Sequence, residues 1–268
     1  LRNMAKHSKF PIGIFDSGVG GTSIWKEVNA LLPHENTMYL SDSKNAPYGE
    51  KSQQKIIDLA IKNTDFLIDK NCKIIIVACN TATTNAIDIL RAKYSIPFIG
   101  IEPAIKPAAL QTKTNTIGIL ATKGTLNSSL FEQTSNTIHK KIIKKEIIGT
   151  GLVELIESGK LHSPEMTTLL SSYINPLIKE NVDCLVLGCT HYPYLIPQIR
   201  KMVGTKIQII DSGEAVARQT KAVLIKNELT NTLSNESEHQ FYINTNKKVL
   251  ELLVDTNIMK IKIEKKDF

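Results

Sequence analysis

Short runs of apolar, β-branched residues alternate along this chain with longer amphipathic segments. The runs predict strands near residues 11–15, 37–41, 74–78, 96–99, 116–120, 142–147, 184–188, 207–210 and 240–243. Ile74-Ile75-Ile76-Val77-Ala78 has no polar position at all, the mark of a strand buried on both faces. Between the runs the apolar period lengthens. Gln53 to Asp69 sets Ile56, Ile57, Ala60, Ile61, Thr64, Leu67 and Ile68 along one helical stripe. Met166 to Glu180 does the same with Leu169, Leu170, Tyr173 and Leu177, with a kink expected at Pro176. Strand then helix, repeated, predicts βαβ units and an α/β fold with mostly parallel sheet.

The pattern also repeats on a larger scale. Gly13-Ile14-Phe15-Asp16-Ser17-Gly18 pairs with Gly118-Ile119-Leu120-Ala121-Thr122-Lys123, and the run ending at Cys79 pairs, at similar spacing, with the run ending at Cys189. This duplication predicts two pseudosymmetric lobes, each a mostly parallel sheet flanked by helices, with a cleft between them. The turn-like break Gly100-Ile101-Glu102-Pro103 and a return near Ile210-Asp211-Ser212-Gly213 divide the chain into residues 1–101 with 212–268, and residues 102–211. No low-complexity linker separates the two, so they are expected to pack closely.

Composition narrows the class. With 42% apolar residues in 268, the chain can bury a substantial core. Cys72, Cys79, Cys184 and Cys189 are too few for a disulfide framework and show no C-x-x-C spacing, which points to a reducing, cytoplasmic setting. No apolar run is long enough to cross a bilayer, so no membrane partner is expected. Met4 reads as the native start, and Leu1-Arg2-Asn3 is set outside the fold. The 33 Lys and Arg against 26 Asp and Glu leave a net charge of +7, but the basic residues are dispersed. Lys140-Lys141 with Lys144-Lys145, and the tail from Lys260 to Lys266, lack interleaved aromatics and read as solvated faces rather than a nucleic-acid surface.

Candidate chemistry concentrates at strand ends. Cys79 and Cys189 each close a buried run, where ligands sit in parallel α/β proteins, with Asn80-Thr81 following one and Thr190-His191 the other. A helix N-terminus behind each thiol is expected to lower its pKa, giving two sulfur acid/base groups on opposite faces of one substrate. Asp16-Ser17-Gly18 aims an acidic group into the same cleft or caps a helix, and Pro47-Tyr48-Gly49 can turn backbone N–H groups toward a carboxylate. Cys72 and Cys184 read as buried small hydrophobes, and Trp25 as core. His191 beside Cys189 lacks the further ligands a metal site needs, so none is expected. His34, His139, His162 and His239 belong to no constellation, and Glu157 by itself reads as a solvated helix-end carboxylate.

Five blocks in order give the chain a resemblance to the glutamate racemases of the cofactor-independent aspartate/glutamate racemase superfamily. They are Ile14-Phe15-Asp16-Ser17-Gly18-Val19-Gly20-Gly21, Ala46-Pro47-Tyr48-Gly49, Ala78-Cys79-Asn80-Thr81-Ala82-Thr83, Leu120-Ala121-Thr122-Lys123-Gly124-Thr125 and Leu187-Gly188-Cys189-Thr190-His191-Tyr192-Pro193. The resemblance implies a site between two lobes, two-base proton transfer at the α-carbon of glutamate, and no cofactor or metal. It implies Cys79 as base toward D-glutamate and Cys189 toward L-glutamate, with Asp16 assisting the first and His191 with Glu157 the second. Asp16, Ser17, Pro47, Tyr48, Gly49, Asn80, Thr81, Thr122, Thr125, Thr190 and His191 would contact substrate. A homodimer and a role in supplying D-glutamate for peptidoglycan are further implications. Thr22-Ser23-Ile24-Trp25, in place of an aliphatic stretch, and Glu154, where proline is common, depart from the pattern beside the matched blocks. Racemisation of aspartate or another acidic amino acid, or a binding role on the same fold, are the alternatives.

Overall fold

The computed structural model describes residues 8–138, 141–232, 236–254 and 260–268; His139, Lys140 and the initial Leu1-Arg2-Asn3-Met4 lie outside them. Among the described residues the strands form two sheets, and every pairing within them is parallel. The strands are β1 (Ile12–Asp16), β2 (Thr37–Ser41), β3 (Ile74–Val77), β4 (Phe98–Gly100), β5 (Thr116–Ala121), β6 (Ile143–Ile148), β7 (Cys184–Gly188), β8 (Gln208–Ile210), β9 (His239–Ile243) and β10 (Ile261–Lys265). The first sheet runs β10-β9-β2-β1-β3-β4 and the second β6-β5-β7-β8. The order β2-β1-β3-β4 therefore recurs as β6-β5-β7-β8, with Asp16 and Ala121 ending equivalent strands and Cys79 and Cys189 following another equivalent pair. Strand-helix alternation with both faces covered makes this an α/β fold of two parallel sheets flanked by helices.

The central strands β1, β3 and β7 are buried along their whole length, which is why β3 and β7 carry no charged or strongly polar residue and β1 carries only its last, Asp16. The helix Gln53–Asp69 matches its predicted span, capped by Ser52 accepting from Lys55 N at 3.3 Å. The helix Pro164–Lys179 continues through Pro176, which lies within its last turn. Strand β10 was not anticipated. Its segment reads as a basic tail, yet Ile261 and Ile263 are partly buried against the core while Lys262 and Glu264 face outward, the period-two alternation of a sheet edge.

One apolar cluster links the two sheets, running from Ile14, Val19 and Ile76 through Ile101 and Leu120 to Leu187, Cys189 and Tyr192. Trp25 belongs to it and donates from Nε1 to Thr37 Oγ1 at 2.8 Å, so its polar edge is satisfied inside the core. The same packing brings the carboxyl ends of β1 and β3 against those of β5 and β7.

Candidate active site

Asp16 ends β1 and is fully buried. Its Oδ2 accepts from Gly18 N at 3.1 Å and Gly21 N at 3.0 Å, and its Oδ1 accepts from Thr190 Oγ1 of the other lobe at 3.1 Å. Burial still raises its pKa, although His191 pulls it down. Cys79 is the N-cap of the helix Asn80–Lys93, with Ala82 N donating to its Sγ at 3.4 Å and the thiol donating to Ser17 Oγ at 3.5 Å. The expected lowering of this thiol is overturned: burial, reinforced by the Asp16 carboxyl, pushes Cys79 up to about 12. The helix-end N–H and Ser17 act in the opposite direction but are outweighed, because desolvation disfavours the thiolate more than one long N–H···S contact supports it.

The second thiol sits in a different field. Cys189 Sγ lies 3.7 Å from His191 Nδ1, and His191 Nε2 lies 2.6 Å from Glu157 Oε1. Burial opposes the imidazolium, but the hydrogen bonds to Cys189 and Glu157 prevail and hold His191 well above its usual value. With Nε2 carrying its proton toward Glu157, Gly20 N, 3.2 Å from the same nitrogen, is left as a close neighbour rather than a donor. Glu157 also accepts from two groups of the opposite lobe, Val19 N at 2.6 Å on Oε1 and Ser43 Oγ at 2.7 Å on Oε2. Bare glycines permit this approach: a Cβ on Gly18 would lie 1.9 Å from Glu157 Oε1, and one on Gly20 would lie 2.3 Å from His191 Nδ1.

Both thiols line one small enclosed cavity together with Ser17, Pro47, Tyr48, Gly49, Asn80, Thr81, Thr122, Val153, Thr190 and His191. Its free space of about 10 Å³ would hold no more than about one water molecule. Thr81, Thr122 and Thr125 bond one another there, at 2.8 Å for Thr81 to Thr122 and 3.0 Å for Thr122 to Thr125. Tyr48 points its hydroxyl away, donating to Asp42 Oδ2 at 2.5 Å and accepting from Asn63 Nδ2 at 3.1 Å. Asn80 differs from all of these, since both its amide nitrogen and oxygen are buried with no hydrogen-bond partner. An amide left so costs about 1–3 kcal/mol, which a polar ligand would recover.

Comparison with known proteins accords with this geometry. The model of the Asp/Glu/Hydantoin racemase family matches residues 20–220. The chain belongs to that family. A glutamate racemase of Ralstonia pickettii is 44% identical over 217 residues, covering 80% of this chain and 76% of that protein. The crystal structure of a glutamate racemase isoform from Bacillus anthracis superposes with a TM-score of 0.85 at 30% identity, over 96% of this chain and 97% of its own. That of the Francisella tularensis glutamate racemase in complex with D-glutamate gives 0.82 at 30% identity, over 96% and 98%.

Within this racemase-family chain, the fold brings together every residue singled out in the sequence. Most line the cavity; Asp16, Glu157 and Thr125 stand just behind it, bonded to residues that do. Glu157 is not the solvated carboxylate its local sequence implies, because Ser43, in the turn after β2, and the Gly18–Gly20 turn close over it. Sequence reasoning missed Val153 and Ser43. Val153 carried only the signal of a helical apolar position, and Ser43 meets a partner 114 positions away. The unusual Thr22-Ser23 pair also reaches the Cys189 loop, Thr22 Oγ1 lying 2.5 Å from Tyr194 OH and Ser23 Oγ donating to Thr190 O at 2.8 Å. Cys72 and Cys184 are buried away from the cavity, with burial pushing them up to about 12 and about 11.

Proposed function

We propose that this protein is a glutamate racemase that interconverts the L and D enantiomers by proton transfer at the α-carbon. The observation that carries the reading is that Cys79 and Cys189, from equivalent strands of the two sheets, line one cavity. Inversion removes a proton from one face of the α-carbon and delivers another to the opposite face, which a single base would not readily do. Cys79, buried beside Asp16, rests as a thiol able to donate. His191, raised toward its charged form, lies 3.7 Å from Cys189, where it can balance charge as that sulfur exchanges a proton. In this reading Cys189 deprotonates L-glutamate while Cys79 protonates the opposite face, and the roles reverse for D-glutamate.

Asn80 offers an unsatisfied donor and acceptor to the substrate, and Ser17, Thr81, Thr122, Thr190 and the Pro47-Tyr48-Gly49 turn supply the remaining contacts. Thr125 holds Thr81 and Thr122 in place. The two thiols carry both proton transfers, so the reading calls for no cofactor or metal. We take residues 1–101 with 212–268 as one lobe and residues 102–211 as the other, a reading supported by β9 and β10 joining the first sheet. By family resemblance the enzyme acts in the cytoplasm to supply D-glutamate for peptidoglycan, and as a homodimer that light scattering would detect. No helix among the described residues is long and apolar enough to cross a membrane.

The test is NMR of L-glutamate incubated in D₂O with the reduced protein and no added cofactor, alongside chiral analysis. Formation of α-deuterated D-glutamate is expected. Absence of both exchange and D-isomer would overturn the reading, and faster turnover of aspartate would reassign the substrate.

A further inference from the structure

The set Cys189, His191 and Glu157 belongs entirely to the second lobe, yet its outermost member is held by the first. Glu157 Oε1 takes the His191 and Val19 N contacts, and Oε2 accepts a hydrogen bond from Ser43 Oγ at 2.7 Å. Ser43 is the one side chain outside the second lobe that a described hydrogen bond gives to this carboxylate. Its own position is fixed. Ser43–Asn45 form a 3₁₀ turn after β2, with Ser41 Oγ 3.0 Å from Ser43 Oγ. Buried Asp42 anchors the turn by accepting from Asn45 Nδ2, Tyr48 OH and Asn244 Nδ2, and Asn244 Oδ1 accepts from Lys44 N.

We infer that Ser43 is a positioning residue for the reaction, orienting Glu157 across the lobe interface so that the Cys189 relay is complete only when the lobes are closed. The inference rests on the racemase reading for its kinetic consequence but not for its geometric one. Glu157 has two oxygens and a free χ3 torsion. With Oε2 tethered, Oε1 stays in line with His191 Nε2; without the tether, Val19 N alone holds the carboxylate from the first lobe, which leaves it freer to rotate and loosens the orientation of the imidazole. The charged and titratable groups facing His191 and Glu157 are Cys189 on the same loop, Asp16 from β1 and Tyr39 from β2, all of which remain in a Ser43 variant.

The experiment compares Ser43→Ala and Ser43→Thr with the wild-type protein. The proton on His191 Nε2, in a 2.6 Å bond to Glu157, should give a downfield ¹H NMR resonance, assigned by its loss in His191→Gln. We expect it to shift upfield or broaden in Ser43→Ala and to persist in Ser43→Thr. An unchanged resonance in Ser43→Ala would overturn the inference whether or not the protein racemises glutamate. In kinetics, the equilibrium constant between enantiomers is one, so kcat/KM must fall equally in both directions, here about tenfold for Ser43→Ala. The asymmetry should appear in the primary deuterium isotope effect, raised for α-deuterated L-glutamate, which Cys189 deprotonates, and unchanged for the D-isomer. Wild-type-like rates, or a rise in KM alone with Ser43→Thr no better than Ser43→Ala, would reduce Ser43 to packing. A wild-type protein inactive on glutamate, with the resonance still dependent on Ser43, would instead refute the racemase reading and leave the positioning role standing.

Discussion

At the scale of single residues, the two thiols differ more than their matching sequence contexts suggest. Each follows a buried strand, but Cys79 faces a buried carboxyl and Cys189 an imidazole whose pKa is raised by its contacts with Cys189 and Glu157. Replacing either by serine should lower racemisation by a factor on the order of 10² or more, the scale of a lost acid/base group, whereas Cys72→Ser should leave it within about twofold; steady-state polarimetry decides. Asp16 gives a stability prediction. Its pKa is raised in the fold, so its contribution to stability is present below the unfolded carboxylate range of about 3.9 and is lost as pH rises through the higher folded value. Above that folded value the protein carries a buried charge at a cost. Asp16→Asn should raise the urea midpoint at pH 7.5 while lowering turnover, and a lower midpoint would show that its three hydrogen bonds outweigh its burial. His191 has the same sign: the stability it adds is complete below about pH 6.5 and fades as pH rises through its elevated folded value.

At the scale of elements, the site is assembled from turns whose shape is set by buried polar bonds. The Tyr48–Glu50 turn brings Tyr48 and Gly49 to the cavity because the Tyr48 hydroxyl is tied to Asp42 and Asn63 behind it. Tyr48→Phe keeps the ring but leaves buried Asp42 short of a donor, and should cost about 1–3 kcal/mol by chemical denaturation and raise KM more than it lowers kcat. The length and alternation of most elements were legible in the sequence, since burial on one or both faces writes itself into the apolar period. β10 was not, because charged residues on its outer face masked a two-residue alternation whose inner face meets the core only after β9 is in place.

At the scale of the whole molecule, the lobes meet closely enough that the cavity between the thiols has only about 10 Å³ of free space. An amino acid needs far more than the space of about one water, so we expect the lobes to part for binding and close again. Solution scattering of the ligand-free protein should accordingly give a radius of gyration larger than that of this closed arrangement, falling to it when D-glutamate is added, and a radius already at the closed value and unchanged by saturating ligand would mean that side-chain movement alone opens the site. The parallel α/β class, the duplicated strand pattern and the candidate thiols are legible in local sequence, because buried strands must be apolar and reactive groups must stand where those strands end. Tertiary structure alone decided which charge each thiol faces, that Glu157 turns inward, and that Ser43 and Val153 join the site. Those outcomes depend on desolvation and on contacts between the ends of separate strands, quantities that no local stretch of sequence carries.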